Sequence, residues 1–357
     1  MMFLRMILGL MSICFSTGLW AQAGYLEDPL FQYRQPSARA EAMGGAMVAA
    51  TNGAYTGFYN PAALAGAAAY ALNYTYSDPF YVFTDGNYKG LFGIASLGNA
   101  GTIGISWYRF QYGVPFVNFA LEDGEGESAY SAMMTLSYGR NLGSRLQGGL
   151  NVSRYKGWYS SEINASTYLF DIGLTFQAWQ KREERRDQRL TLGLALDNLF
   201  EGKFSPLDEG QGDPLPVILC FGGSYSSQFL PTNDGRFYNL NATLNAEYQH
   251  ILNAGKSHFS GVRLGGELLF LDLIAARVGY FSLKLYDYGA ADSNALSRWS
   301  DFTYGLGIQI PFARIVPNIL PIVLSVDFTS RPQTTFSDDF DDWQNLTTLN
   351  VGVKVAR

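Results

Sequence analysis

The chain has 357 residues, 47% apolar and 16% charged, which places it well outside the disordered class. Thirty-nine glycines and 15% aromatic residues against two histidines fit a turn-rich β protein better than a helical enzyme. A formal net charge of −6 discourages nucleic-acid binding, for which a basic stripe would be expected.

The N-terminus carries Arg5, an apolar run from Met6 to Trp20, and then Ala21-Gln22-Ala23, an A-x-A processing pattern. The run is short for a spanning anchor, so residues 1–23 are expected to be a cleaved export signal. Their removal deletes Arg5 and leaves 24 basic against 31 acidic side chains, a net charge of −7. Cys14 leaves with them, so Cys220 stands alone and no internal disulfide is expected. No later apolar run approaches the roughly 18 residues that a transmembrane helix needs.

Next comes a block, Gly24–Ala67, that does not read as sheet. It holds P-S-A-R-A-E-A-M-G-G-A-M-V-A-A (Pro36–Ala50) and Y-T-G-F-Y-N-P-A-A-L-A-G (Tyr55–Gly66). Residues this small build no large core alone, but they pack closely inside a larger structure, and Gly44-Gly45 supply sharp backbone turns.

From there the chain alternates. Between Phe237 and Tyr248, Leu240, Ala242, Leu244 and Ala246 fall on one face of an extended strand, and Asn241, Thr243, Asn245 and Glu247 on the other. The same period, bounded by Gly, Pro, Asn, Asp and Ser clusters, predicts strands at about 68–76, 89–97, 101–112, 127–140, 144–158, 166–178 and 189–199. Seven more follow at about 216–226, 237–250, 258–271, 273–285, 299–312, 321–330 and 347–357. An apolar face with aromatic ends and a polar opposite face suits a bilayer outside and a wet lumen inside. The expected fold is all-β, a transmembrane antiparallel barrel of about fourteen strands.

Loop lengths agree with that count. The connections at Gly98-Asn99-Ala100, Asn141-Leu142-Gly143 and Asp272 are short, whereas 113–126, 200–215, 286–298 and 331–346 are long. Long and short alternate as external loops and periplasmic turns do when both termini are periplasmic. Two turns, Gln180–Gln188 and Ser227–Arg236, are longer than that rule expects, and the mixed charge of the first permits strand extension beyond the membrane. Parity points Leu190, Leu192, Leu194, Leu196, Ile322, Leu324, Val326 and Phe328 at lipid, and Thr191, Asp197, Ser325 and Asp327 at the lumen. Glu247, Arg263, Glu267 and Arg277 also point inward, since a charge facing lipid costs about 2–4 kcal/mol near the midplane. Tyr74, Tyr76, Tyr155, Trp158, Tyr159, Tyr168, Tyr248 and Trp299 are read as interfacial aromatics at outer strand ends. A barrel of this size leaves a lumen too wide for wall side chains to fill, so Gly24–Ala67 is expected to plug it as a hatch, with the barrel proper at 68–357.

The motif A-R-A-x-A-M-G-G-A, with Arg39, Met43, Gly44 and Gly45, followed by N-P-A-A-L-A, with Asn60, Pro61 and Ala62, resembles the hatch of FadL-type outer-membrane proteins. Leu192–Phe200 and Gly265–Tyr280 are similar to barrel segments of the same superfamily. The resemblance implies a 14-strand barrel plugged by its N-terminus and carrying long-chain fatty acids or aromatic hydrocarbons. It equally implies a PorV/PorQ-like, non-conducting platform of type IX secretion. One departure is the closing segment T-L-N-V-G-V-K-V-A-R, which lacks the aromatic end usual in such barrels.

Other constellations read as structural. Asn60-Pro61-Ala62 fits a locally capped turn. His250 and His258 flank one loop without a third ligand at metal spacing, and the acidic stretch Ser337–Trp343 lacks the glycine-pivoted spacing of a calcium loop. No nucleophile set converges, so neither enzyme activity nor a metal or cofactor is expected. Phe80, Tyr81, Phe83, Phe116 and Phe119 mark two apolar outer loops that suit the capture of a hydrophobic molecule. Arg263 and Arg277 are candidates to pair an acidic head group, unless they form an internal lattice with Glu247 and Glu267. The partners expected are outer-membrane lipid and lipopolysaccharide, a hydrophobic ligand or detergent in the lumen, and secretion proteins under the second reading.

Overall fold

A computed structural model describes residues 36–50, 53–77, 86–112, 129–158, 164–204, 213–231, 238–253, 260–286, 296–312, 321–332 and 345–355. The wall begins with β1 (Tyr70–Ser77), β2 (Asn87–Ser96), β3 (Thr102–Gln111), β4 (Tyr130–Asn141) and β5 (Leu146–Trp158). It continues through β6 (Asn164–Glu183) and β7 (Arg186–Asp197). Two short strands, β8 (Lys203–Phe204) and β9 (Asp213–Pro214), pair only with each other. The wall resumes with β10 (Ile218–Pro231), β11 (Tyr238–Ile251), β12 (Ser260–Phe270) and β13 (Ile274–Tyr286). It ends with β14 (Leu296–Pro311), β15 (Ile322–Pro332) and β16 (Asn345–Val355). These fourteen wall strands form a closed antiparallel barrel, in which β16 returns to pair with β1 from Tyr70↔Val355 to Ser77↔Thr348.

All fourteen expected strands are therefore present, with shifts at their ends. The charged stretch at Gln180–Gln188 is mostly strand, because β6 runs to Glu183 and β7 starts at Arg186 across a two-residue turn. One irregularity between Gln177 and Trp179 separates this extension from the regular ladder. Likewise β10 continues to Pro231, well past the expected end at 226.

The two faces follow the alternation. Ile105, Leu244, Leu306 and Phe302 are each 62–63% exposed on the outer face, and outward leucines, valines and aromatics recur on the wall strands. So much apolar surface is not left in water by a soluble protein, so the wall is that of a membrane-spanning barrel. The assignments of Leu192, Leu194, Val326 and Phe328 hold, while Leu196 is buried beside the turn at Asn198 (φ 56°). Tyr74 and Tyr168 are exposed, and Tyr76, Trp158 and Tyr248 are half-buried. Tyr155 is a correction. It shares the parity of Asn151 and Ser153, points into the lumen, and packs edge-on against Phe204 with ring centroids 4.9 Å apart. Tyr159, the side chain of Trp299, the signal segment, His258, the acidic stretch 337–343 and the aromatic loops at 80–83 and 116–119 lie outside the described residues.

The segment preceding β1 lies inside the wall and touches it on opposite sides. Helix α1 (Ala38–Ala42) starts at Ser37, whose hydroxyl accepts from the amide of Ala40, and stops at Gly44 and Gly45 (φ 65° and 81°). A second short helix, α2 (Thr56–Tyr59), runs into a 3-10 turn, Pro61–Gly66.

Contact with the wall is made at glycine. Gly104, Gly139, Gly149, Gly173 and Gly193 face this segment from β3 to β7, and Gly222, Gly265, Gly279 and Gly305 face it from β10 and β12 to β14. Several are cross-strand neighbours, among them Gly139↔Gly149, Gly149↔Gly173, Gly193↔Gly222 and Gly265↔Gly279. A methyl group on Gly265 would stand 2.6 Å from the carbonyl oxygen of Met43, and one on Gly139 2.6 Å from that of Pro61. The lumen is thus filled by backbone packed on backbone. On the lipid side of the same region, Gly223 and Gly266 floor an apolar groove walled by Leu190, Leu244, Leu264, Tyr280 and Phe302.

Gly279→Ala should lower the yield of folded, heat-modifiable barrel, because its Cβ would collide with Gly44 and Met43; overpacking of this kind costs about 1–3 kcal/mol or more. Gly266→Ala, whose Cβ meets only ordinary contacts from 3.7 Å outward, should fold like the parent. Equal yields for both variants would contradict the close packing.

Candidate functional site

The lumen is divided into two unlike sectors. One is ionic. Arg39 of α1 makes a two-point pair with Glu267, with Nε to Oε2 and Nη2 to Oε1 both at 2.7 Å. Glu267 Oε2 also accepts from Arg277 Nε at 2.6 Å, and Arg277 Nη1 lies 2.8 Å from Asp327 Oδ1. The result is a chain of alternating charge, Arg39–Glu267–Arg277–Asp327, that ties the inner segment to β12, β13 and β15. Burial opposes the charge on Arg39, but the Glu267 carboxylate and Tyr55 together outweigh it and hold the guanidinium pKa above its ordinary value. Glu247 forms a second anchor. Its Oε2 accepts the amides of Met47 and Val48 at 2.7 and 2.8 Å, while Oε1 pairs with Arg263 at 3.3 Å.

Arg263 and Arg277 thus take part in an internal lattice, Arg263 with Glu247 and Arg277 with Glu267. Neutral side chains complete the attachment. Asn245 donates to Ala46 O at 2.7 Å, Asn151 to Gly57 O at 2.9 Å, and Thr348 to Glu41 Oε2 at 2.6 Å.

Asn60, Pro61 and Ala62 form a node within this attachment. The Asn60 carbonyl group accepts from the amide of Ala62 at 3.0 Å and so caps the 3-10 turn, whose first residue is Pro61. Its amide group donates to Val48 O at 2.7 Å and to Leu174 O of β6 at 3.1 Å. One fully buried side chain thereby joins two parts of the inner segment to the wall. Met43 is buried against Gly265, and Gly44 donates to Thr303 Oγ1 at 3.1 Å.

The other sector is aromatic. Tyr88 and Phe92 of β2, Tyr108 and Phe110 of β3 and Tyr155 of β5 all point inward and are at most 1% exposed. Tyr88 and Tyr108 stack at 5.8 Å, Tyr88 and Phe110 meet at 4.6 Å, and Phe58 of α2 reaches Tyr108 at 5.9 Å. Phe204 of β8 and Leu215 close the cluster. This sector was not expected from the sequence. Its signal was available in parity, since Tyr88, Gly90 and Phe92 occupy one face of β2 while Leu91 faces lipid.

Among the described residues no group of three or more metal-ligating side chains is placed to hold an ion. No protein-family model and no curated protein matches the chain. Among solved structures, the toluene transporter TbuX of Ralstonia pickettii is similar at 12% identity, covering 92% of this chain and 100% of that one with a TM-score of 0.46. A FadL homologue of Pseudomonas aeruginosa is similar at 10% identity, covering 91% and 99% with a TM-score of 0.47. The monoaromatic hydrocarbon channel CymD is similar at 10% identity, covering 90% and 97% with a TM-score of 0.48. These likenesses are of fold.

Glu267→Ala should lower the temperature of the heat-modifiable gel shift, because it leaves Arg39 and Arg277 buried without their shared partner, a change that typically costs about 3–5 kcal/mol. Arg39→Met, which leaves Glu267 paired with Arg277, should cost less. The reverse order would mean that the ion chain does not hold the inner segment.

Proposed function

We propose that this chain is a bacterial outer-membrane barrel that passes a hydrophobic small molecule, a long-chain fatty acid or an aromatic hydrocarbon, with residues 24–67 as its hatch. The observation that supports this reading is the segregated lumen. A water-filled pore is polar all round, whereas here β2, β3 and β5 present rings to the interior. Phe58, Phe204 and Leu215 cover these rings, so a passing molecule would displace them, and the apolar surface it buries would contribute about 25 cal/mol per Å² without any charged site. The loops bearing Phe80, Tyr81, Phe83, Phe116 and Phe119 would collect it at the cell surface, and the inner segment would control its passage. The termini would then be periplasmic, after removal of residues 1–23.

One observation favours a second reading, a non-conducting platform for secretion proteins. The inner segment is bonded to both sides of the wall, through Asn60 to β6 and through Arg39 to β12, as suits a permanent filling.

Two experiments test these statements. Cysteines introduced at 113–126 and 331–346 should react with impermeant reagents on intact cells, and labelling confined to broken cells would invert the orientation. Barrel purified in mild detergent should carry fatty acid or apolar ligand detectable by mass spectrometry, and Tyr108→Asp should abolish that occupancy and the matching cellular uptake. An unliganded barrel that copurifies with a large secretion complex would replace transport by the platform reading.

A further inference from the structure

Four basic side chains stand on the outer face of neighbouring strands, at the wall edge next to the connections 113–128 and 159–163. They are Lys89 on β2, Arg109 on β3, and Arg154 and Lys156 on β5. Register joins three of them in one cross-strand row, through Lys89↔Arg109, Arg109↔Ala132 and Ala132↔Lys156. Arg154 sits one outward position nearer the middle of the wall. Lys89 and Arg154 are exposed, whereas Arg109 and Lys156 are half-buried beside Tyr130. The ring centre of Tyr130 lies 4.1 Å from the Arg109 guanidinium carbon and 5.8 Å from Lys156 Nζ, and Trp158 stacks on the same ring. Arg109 donates to Gln111, and Arg154 Nη2 to Ser166 Oγ at 3.5 Å, both neutral partners. Strands β1 to β5 contain no Asp or Glu. Among the described residues none of the four cations makes an ion pair. The acids of the adjoining connections, Glu122 and Asp123 among them, lie outside the described residues. Toward the turn ends the same outward alternation continues as Leu91, Ile105, Met134 and Leu136, all exposed.

We propose that this row binds the phosphates of lipopolysaccharide, with Arg109 and Lys156 flanking one phosphate over Ala132 and Lys89 and Arg154 engaging a second. Four like charges across strands about 4.8 Å apart repel one another unless an anion meets them. Position selects a lipid phosphate. The cations border the apolar band, where a head group is held by acyl chains that lie on Leu91, Ile105, Met134 and Leu136. Number selects the lipid. An ordinary phospholipid brings one phosphate, too few for four cations over a width of about 14 Å, whereas the lipid core of lipopolysaccharide brings two. Ala132 contributes by size, since a longer side chain between Arg109 and Lys156 would cover the seat. The inference rests on the orientation given above, with the long connections at the cell surface, and is independent of transport.

The test adds defined lipids to the purified barrel in mild detergent and reads the complexes by native mass spectrometry. The probes are lipopolysaccharide truncated to its phosphorylated lipid core, the same lipid after phosphatase treatment, and phosphatidylglycerol. The phosphorylated core should bind saturably, and phosphatase treatment should weaken it at least tenfold. Lys89→Gln combined with Arg154→Gln changes only exposed positions and should weaken binding by roughly ten- to a hundredfold. Arg140→Gln, which removes an exposed arginine at the turn end of β4, should bind like the parent. The comparison of the two lipid cores uses the parent alone, so it decides even if the double variant fails to fold. Equal binding of the phosphatase-treated lipid, displacement by phosphatidylglycerol at matched concentration, or parental affinity in the double variant overturns the proposal. Connections that label only in broken cells would place the row at the opposite leaflet and overturn it as well. A barrel that binds the phosphorylated core but carries no apolar ligand keeps this site and loses only the transport reading.

Discussion

The structure depends on one constraint, that two backbones lie against each other with nothing between them. The belt of inward glycines on β3 to β7, β10 and β12 to β14 leaves room on the lumen side for the backbone of the inner segment. A fourteen-strand wall is wide, and wall side chains alone would not fill it. A short segment rich in alanine and glycine helps to fill it where those strands carry glycine. The dense small residues of Pro36–Ala50 and the glycines of the wall are the two halves of one fit.

Close backbone packing creates a polar problem, because amides and carbonyls of irregular chain are then buried. The wall answers residue by residue. Glu247 accepts two consecutive amides, Asn245 and Asn151 donate to carbonyls, and Asn60 spans from the inner segment to β6. Charge is concentrated where α1 meets β12, β13 and β15, and there it alternates in sign so that each central member has two partners. Rings occupy the opposite side. The division between ionic and aromatic sectors follows from which strands face α1 and which face α2.

Much of this was legible in the sequence. Strand number, the closing pair and the inward charges follow from a two-residue period that a lipid-facing wall makes strict, since one slipped residue would turn every charge toward hydrocarbon. The segment before β1 stood out by its small residues. The belt was not legible, because a glycine in a strand reads the same whether it admits a close neighbour or merely lacks one; only register shows that Gly265 faces Met43 and Gly266 faces lipid. Tyr155 was misread for a related reason. An aromatic near a strand end looks alike on either face, and only its shared parity with Asn151 and Ser153 turns it inward. The inward placement of Phe204 and Leu215 has no periodic signal, as two-residue strands cannot carry one.

The apolar groove on the outside of β10 to β13 lies over the same glycines that receive Met43 and Gly44 within. At Gly265 and Gly279 the apolar outer groove and the inner segment are separated by little more than the peptide groups of the sheet. The dielectric environment of the inner segment is therefore set from both sides by material that cannot hydrogen-bond. The amide of Gly44 finds Thr303 because no solvent is at hand to take its place. In this part of the molecule the membrane does not end at the wall, and its low polarity extends through the strands to the chain they enclose.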